Sequence, residues 1–176
     1  MNPNDLYRQK LITIPEAVGK LQSRQTLGLA MAASEPPGLM AELGNHRDRL
    51  EDVHVWVCLP LGSYSFVLDP SMDSHFFVEN WFYGAADRKV HDQGRESYIP
   101  NNLHQAATKK LYAAGNRANV FFGTATPPDE RGYMSLSLGL VLEKQLIEAA
   151  DLVILEINEN LPWTLGDTQL HISQVD

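Results

Sequence analysis

The sequence predicts an α/β fold of three layers, in which helices cover both faces of a mostly parallel sheet. Segments with a helical apolar stripe alternate with short apolar or β-branched runs along the chain. Four of these runs are continuously apolar, as strands are when both faces of a parallel sheet are covered: 27–30, 53–59, 120–122 and 152–157. The chain has 176 residues, 44% of them hydrophobic and 20% charged, which is typical of one folded domain.

The first third of the chain is predicted to hold three helices and one strand. Residues 6–12 form a short helix opened by Asn4 or Asp5. Thr13 and Glu16 have the spacing of a capping box, which predicts a second helix. The strand covers 26–30 and leads through small residues into a helix that the sequence EPP opens.

The rest of the chain repeats this alternation. Strands are predicted over 53–59, 118–122 and 152–157, and helices over 85–92, 103–114 and 140–150. Gly115 follows one of these helices and is a plausible left-handed cap. The aromatic stretch 64–83 is predicted to be irregular, and the alternation over 169–176 predicts a last strand.

Composition narrows the possible partners and compartment. The 14 basic against 22 acidic residues give a formal charge of −8, which repels phosphate backbones, so we expect no nucleic-acid partner. No apolar run approaches the ~18 residues of a membrane span, and the first residues lack the features of a signal peptide. The one cysteine excludes an intramolecular disulfide. We therefore expect a cytoplasmic protein without a membrane partner.

Common catalytic and metal-binding motifs are absent from the sequence. It has no GxGxxG, GxxxxGK[ST], GxSxG or HExxH pattern, and its six histidines include no i,i+4 pair, so we expect no metal. Cys58 lies inside an apolar run. We expect it to be a buried thiol with a raised pKa rather than a nucleophile.

The loop after the first predicted strand carries the first candidate site. Ala32, Ala33 and Ser34 are small enough for a ligand to approach the backbone, and the amides of the next helix suit an anion or an oxyanion. Tight packing of a strand against a helix explains these residues equally well. Glu35 fits either a reactive carboxylate or a favourable charge at a helix start.

Two later loops carry the remaining candidates. Pro127 and Pro128 stiffen a loop that continues to Tyr133, which suits the wall of a site. Asn158 and Asn160 follow the last strongly apolar run and are good hydrogen-bonding partners for a ligand. Each of these residues also fits an ordinary surface turn.

These loops, taken in order, resemble the N-terminal half of the acetyl-CoA hydrolase/transferase family, which includes 4-hydroxybutyrate CoA-transferase. The most specific stretches are PPDERGYMSL at 127–136 and NENLPWTLGD at 158–167, which runs into HIS at 171–173. Together with shorter matches, the resemblance spans about 6–176. The family's turn before EPP is usually rich in glycine, whereas here it reads AAS.

The resemblance implies the NagB/RpiA-like half of a CoA-transferase, with two similar α/β halves that enclose coenzyme A as a substrate and need no metal. It implies an acyl-CoA and a small carboxylate as partners, a C-terminal domain or partner subunit, and a homo-oligomer. The family's nucleophilic glutamate and glycine-rich CoA loop belong to the C-terminal half. No catalytic role therefore passes to Glu35, Glu130 or Glu156, and we expect residues 1–176 alone to be inactive.

The expected chemistry is CoA transfer between an acyl-CoA thioester and a carboxylate of the 4-hydroxybutyrate or acetate class, through a glutamyl-CoA intermediate. The substrate-binding candidates in this half are Ala32, Ala33, Ser34, Glu35, Pro127, Pro128, Tyr133, Asn158 and Asn160. Alternatives are an acetyl-CoA hydrolase half, a binding or assembly module that needs a partner chain, and another enzyme of similar layering such as a sugar-phosphate isomerase.

Overall fold

The protein is described by a computed structural model that covers residues 2–106 and 115–176. Its helices are α1 (Pro3–Lys10), α2 (Ile14–Gly19), α3 (Pro37–Leu43), α4 (Ser65–Leu68), α5 (Asp87–His91) and α6 (Glu143–Ala149). Its strands are β1 (Thr26–Leu29), β2 (Val53–Val57), β3 (Phe76–Asn80), β4 (Glu96–Tyr98), β5 (Val120–Ala125), β6 (Tyr133–Ser135), β7 (Leu152–Ile157) and β8 (Gln169–His171). Short 3₁₀ turns join several of these elements.

Within the described ranges, six strands form one parallel sheet in the order β4-β3-β2-β1-β5-β7. The order changes direction at β1, because β2 to β4 extend to one side while β5 and β7 extend to the other. A crevice outside the carboxyl ends of the strands at such a switch point is the usual ligand site of an open α/β sheet. A second, antiparallel pair joins β6 to β8, with Tyr133 opposite His171.

Both faces of the parallel sheet are covered, which confirms the predicted α/β class. On one face, Leu27, Val55 and Phe122 pack with the apolar sides of α2 and α3. On the other face, Phe121 and Val153 pack with the apolar side of α6. The strands are buried on both sides, and this explains their continuous apolar runs.

The amino-terminal helices follow from local sequence signals. The predicted capping box is present: the Thr13 amide donates to Glu16 Oε2 at 2.8 Å, and the Glu16 amide donates to Thr13 Oγ1 at 3.4 Å. The first helix begins earlier than predicted, because Asn2 rather than Asn4 or Asp5 caps it and Pro3 occupies its first turn.

The prediction of an irregular stretch over 64–83 was wrong. It contains α4 and β3, and β4 was not predicted either. β3 buries only Phe76, Val78 and Asn80 well, so it lacks the continuous apolar run that identifies the central strands. Most of the helix predicted over 103–114 lies outside the described residues. The part that is described begins with a 3₁₀ turn over 103–105. Gly115 has the expected positive φ of 78°.

The predicted last strand is shorter than expected. β8 ends at His171, and residues 172–174 form a 3₁₀ turn whose Ser173 amide donates to His171 Nδ1 at 3.2 Å. No helix in the described part of the chain is long and apolar enough to cross a membrane.

Candidate functional site

The loops that carry the predicted site residues leave the sheet at one edge, where the parallel strands end; we call this the carboxyl edge. Thr124 Oγ1, near the end of β5, donates to the carbonyl of Ser34 in the β1 loop at 3.0 Å. The Asn158 amide, just after β7, donates to the Ala125 carbonyl at 3.0 Å. Neighbouring strands lie ~4.8 Å apart, so the loops after β1, β5 and β7 are adjacent.

The turn after β1 is tied to its surroundings through its backbone. The Met31 amide donates to Glu143 Oε1 at 3.0 Å, and the Ala32 amide donates to the Cys58 carbonyl at 3.3 Å. The amides of Ser34 and Glu35 donate back to Met31 and Ala32, both at 3.0 Å. These four bonds use the amides of Met31, Ala32, Ser34 and Glu35. The amide of Ala33, which is an exposed residue, takes part in none of them.

Three residues other than glycine have left-handed backbone conformations near this turn. Ala32 has φ 51°, Leu59 has φ 53° and Ser137 has φ 56°. Leu59 follows Cys58, which bonds Ala32. The segment around Ser137 meets the turn at Gly139, where an added Cβ would lie 2.7 Å from Ser34 Oγ. Such conformations cost energy and concentrate at functional sites.

The side chains of Ser34 and Glu35 are not freely open to solvent, since Ser34 is buried and Glu35 is half-buried. Ser34 is buried, and its Oγ has no hydrogen-bond partner among the described residues. Both oxygens of the Glu35 carboxylate are engaged, since they accept from the amides of Leu61 and Gly62 at 3.0 and 2.9 Å and from the Tyr64 hydroxyl at 2.8 Å. Burial, together with this carboxylate, raises the pKa of Tyr64. Glu35 thus fastens the loop that follows β2.

Pro127 and Pro128 begin a hairpin-like loop that the side chain of Asp129 closes. Asp129 Oδ1 accepts from the amides of Arg131 and Tyr133 at 2.9 and 2.8 Å. The ring of Tyr133 meets His171 edge to face, and Tyr133 lines a separate shallow depression together with Trp163. The structure therefore places Tyr133 in this depression.

Asn158 and Asn160 form the turn by which the chain leaves β7. Asn158 Oδ1 accepts from the Asn160 amide at 2.9 Å, the geometry of an Asx turn. Asn160 is exposed. The side-chain oxygen of Asn158 is therefore used within the turn, while the side chain of Asn160 is open to solvent.

The structure shows a cavity at the carboxyl edge that the sequence analysis missed. Its volume is about 430 Å³, and it lies beside the β1 turn, where Met31, Cys58 and Leu59 contribute to its wall. Trp81 and Asn101 contribute from the loops after β3 and β4. The only sequence signal would have been the position of Trp81 directly after β3, and β3 was not predicted.

Cys58 has the environment that the sequence predicted. It is a free, buried thiol, and burial, with a smaller effect of Glu143, raises its pKa to about 11. The thiol is therefore neutral near pH 7 and forms part of an apolar wall.

A second group that the sequence analysis missed is a set of buried acids behind the β3 loop. Asn80 Nδ2 donates to Glu96 Oε1 at 2.6 Å, and Asp87 Oδ2 accepts from the Gly84 amide at 2.7 Å. Burial raises the pKa of Asp87 and raises that of Glu96 to about 7. In residues 2–106 and 115–176, no three His, Cys, Asp or Glu side chains form a group that could hold a metal ion.

Exposed apolar side chains surround the carboxyl edge, and we call them the apolar rim. Three follow β2, β3 and β4, and three belong to the segment whose Gly139 packs on Ser34. They are Leu61, Phe82, Leu103, Leu138, Leu140 and Val141. Exposed apolar side chains on several neighbouring loops are typical of binding or docking regions.

Comparison with known proteins gives a consistent picture. Residues 1–176 match the Acetyl-CoA hydrolase/transferase N-terminal domain family. The 4-hydroxybutyrate coenzyme A transferase of Clostridium kluyveri is 31% identical over 100% of this chain and 41% of its own length. The butyryl-CoA:acetate CoA-transferase of Anaerostipes caccae is 27% identical over 100% of this chain and 40% of its own length.

Solved structures share the fold. RipA from Yersinia pestis superposes with a TM-score of 0.87 at 28% identity, over 100% of this chain and 43% of that protein. A 4-hydroxybutyrate CoA-transferase from Porphyromonas gingivalis has the same fold, with a TM-score of 0.74 at 23% identity, over 98% of this chain and 39% of its own. The chain thus spans about two fifths of the length of these relatives. By its match over all 176 residues, it belongs to the acetyl-CoA hydrolase/transferase family, as an N-terminal domain.

Proposed function

We propose that this chain is the N-terminal half of an enzyme that transfers CoA between an acyl-CoA thioester and a carboxylate of the 4-hydroxybutyrate or acetate class. The observation that best supports it is the apolar rim around a crevice at the carboxyl edge. A second lobe that covers the rim would enclose the thioester and exclude water. Three of the relatives and neighbours named above are CoA transferases of about two and a half times this length.

The proposed chemistry uses a glutamate of the C-terminal half as the nucleophile. Its carboxylate attacks the thioester carbonyl, and the CoA thiolate leaves, which gives a mixed anhydride. The thiolate then attacks the glutamyl carbonyl, which releases the first acyl group as a carboxylate and forms glutamyl-CoA. A second carboxylate reverses both steps and leaves as the new acyl-CoA, so no redox partner or net proton is needed.

This half is proposed to supply the surface against which the reacting carbonyl lies. The turn Ala32–Ser34 is the first part of that surface, and the Ala33 amide is the donor that we assign to the oxyanion of the tetrahedral intermediate. The loops that contain Pro127, Pro128, Asn158 and Asn160 form the adjacent wall. Glu35 acts indirectly, by holding the β2 loop, and Tyr133 contributes from the neighbouring depression.

Two alternative functions would use the same surface. An acetyl-CoA hydrolase would admit water to the glutamyl thioester in place of the second carboxylate. A non-catalytic assembly module would use the apolar rim only to bind its partner chain. We also propose a homo-oligomeric protein that acts in the cytoplasm.

The deciding experiment compares residues 1–176 with a protein that also contains the C-terminal half. The longer protein is expected to exchange CoA between acyl-CoA and acetate, and residues 1–176 are expected to remain far below ~1 s⁻¹. Borohydride or hydroxylamine trapping during turnover should label one glutamate, located beyond Asp176.

Each alternative has a distinct result in the same assay. Thiol release from acyl-CoA without added carboxylate would favour the hydrolase. Binding of a C-terminal half without any exchange or hydrolysis would favour the assembly module. Turnover at an enzymatic rate by residues 1–176 alone would contradict the assignment of the nucleophile to the other half.

A further inference from the structure

One buried polar atom without a hydrogen-bond partner belongs to an acid. In residues 2–106 and 115–176, such unpaired side-chain atoms occur on Ser34, Trp81, Glu96 and Asn101. Of these four, only the Glu96 side chain changes its charge between acid and neutral pH. Glu96 is 6% exposed, and its Oε1 accepts from Asn80 Nδ2 at 2.6 Å while its Oε2 has no partner. A negative charge on this group would be buried with half of its hydrogen-bonding capacity unused, which is costly.

No cation compensates for this burial. The titratable groups that face Glu96 are Asp87, from α5, and Tyr83, from the loop after β3. Asp87 is 1% exposed and in turn faces Glu35, from the β1 turn. The guanidinium of Arg95, the preceding residue, pairs with a different carboxylate, and neither Glu96 nor Asp87 forms an ion pair with a described residue. These surroundings favour the neutral acid, in agreement with its raised pKa of about 7.

The acid cluster, by which we mean Asn80, Asp87 and Glu96, holds the loop after β3 in place. Asn80 Oδ1 accepts from the Phe82 amide at 2.9 Å, and Asp87 Oδ2 accepts from the Gly84 amide at 2.7 Å. The Phe82 carbonyl accepts from the Leu59 amide at 2.7 Å, which joins this loop to the loop after β2. A change in the charge of Glu96 can therefore reach the cavity wall, to which Phe82 and Leu59 both belong.

We propose that Glu96 is a proton-operated switch of the loop after β3: the neutral side chain holds residues 81–84 against the loop after β2, and loss of the proton releases them. Loss of the proton would leave a negative charge beside Asp87 and away from water, and movement of Glu96 toward solvent would relieve this repulsion. Such movement is feasible because β4 has three residues and lies at one end of the parallel sheet. The inference does not rest on the proposed function.

The test is an NMR titration of the 176-residue chain from about pH 5 to about pH 9. The carboxyl carbon of Glu96 should titrate with a midpoint near 7, and the amide resonances of Phe82 and Gly84 should shift with the same midpoint. Protection of these two amides against hydrogen exchange, corrected for base catalysis, should fall by at least about tenfold across it. Glu96→Gln, whose side chain stays neutral, should abolish the amide titration and keep both amides protected at every pH.

Two control variants separate Glu96 from other titrating groups. Histidine side chains also titrate near neutral pH, and His91 Nδ1 lies 2.8 Å from the Tyr83 hydroxyl in the same loop. His91→Gln should leave the titration of the two amides unchanged. The exposed Glu130→Gln removes a surface charge by the same chemical change as Glu96→Gln and should also leave it unchanged.

Persistence of the amide titration in Glu96→Gln, or its loss in His91→Gln, would overturn the inference. So would a Glu96 carboxyl that titrates near the ordinary value of 4.5. A Glu96→Gln variant that does not fold would also overturn it, because the neutral side chain is the form that holds the loop. No CoA exchange enters these measurements, so their outcome and that of the proposed function are decided separately.

Discussion

At the scale of single residues, the informative groups are buried polar atoms whose surroundings are assembled from distant parts of the chain. Glu96 lies on β4 but bonds Asn80 at the end of β3, and one of its oxygens has no partner among the described residues. Its carboxyl group is therefore destabilised in the charged form. Asn80 directly precedes Trp81, which lines the cavity. The Asn80–Glu96 hydrogen bond therefore supports the part of the cavity wall that Trp81 forms.

The raised pKa of Glu96 has a consequence for stability. Burial raises that pKa from the ordinary value of 4.5 to about 7, so the folded chain holds a proton that the unfolded chain releases. The stabilising contribution is complete below about pH 4.5 and is lost as the pH rises through 7. We expect Glu96→Gln to raise the free energy of unfolding by about 3 kcal/mol at pH 8 and to change it little at pH 4.5. Denaturant melts of variant and parent at both pH values measure this difference.

The matched control for this prediction is the exposed Glu130→Gln, which should show no difference between the two pH values. A stability difference for Glu96→Gln that is the same at pH 4.5 and pH 8 would contradict the raised pKa.

The residue scale also shows where sequence reasoning is limited. The burial of Cys58 was predictable, because its immediate neighbours in the chain are apolar and they determine its environment. The unpaired atoms of Trp81 and Asn101 were not predictable. Whether a buried amide or indole forms a hydrogen bond depends on how the loops after different strands pack together. That packing cannot be deduced from the residues next to Trp81 or Asn101 in the sequence.

At the scale of elements, the tight loop between β5 and β6 depends on one glycine. Gly132 has φ 87°, and an added Cβ would lie 2.9 Å from both His171 Nε2 and Pro3 Cβ. Its carbonyl also accepts from the Ile172 amide at 2.8 Å. This loop therefore joins the β6–β8 pair to the start of α1.

We expect Gly132→Val to lower the free energy of unfolding by about 3 kcal/mol, because it adds backbone strain to steric overlap. Glu130→Ala, in the same loop, should change it by less than about 0.5 kcal/mol. Gly94→Val separates the two causes, since Gly94 has φ 71° with open space around it, and should lie between them. Thermal melts in which Glu130→Ala is the most destabilising of the three would contradict this account of the loop.

Elements were predictable where a single local signal determines them. The continuous apolar runs identified β1, β2, β5 and β7, and the spacing of Thr13 and Glu16 identified the start of α2. β3 was missed because it buries alternate residues and so lacks a continuous apolar run, and β4 was missed because it has only three residues, one of them buried. The positions of the candidate residues at one edge followed from the parallel topology.

At the scale of the whole molecule, the acidic surface and the apolar rim are separate features. The net charge of −8 opposes non-specific contact with phosphate-rich polymers. The rim places six large apolar side chains at one edge, where the loops after successive strands meet. We therefore expect association to be confined to that edge.

Leu140→Ser should weaken binding between residues 1–176 and the C-terminal half by about tenfold or more, because burial of a leucine contributes on the order of 2 kcal/mol. Leu68→Ser is the matched control: the two leucines are 41% and 40% exposed, but Leu68 ends α4, which leads back toward the start of β3. Affinities measured by calorimetry on the two coexpressed halves test this. Equal weakening by both substitutions would argue against a role for the rim.

The buried carboxylate of Glu143 has a mechanical consequence. One of its oxygens accepts from the Met31 amide, and the other accepts from the amides of Val141 and Leu142 at 2.8 and 3.0 Å. The Glu143 side chain thus connects Met31, in the wall of the cavity beside the β1 turn, to the backbone of the rim segment that contains Leu140 and Val141. We therefore expect a displacement of the 141–142 backbone to move Met31 as well, so that a partner bound to the apolar rim would also change the shape of the cavity.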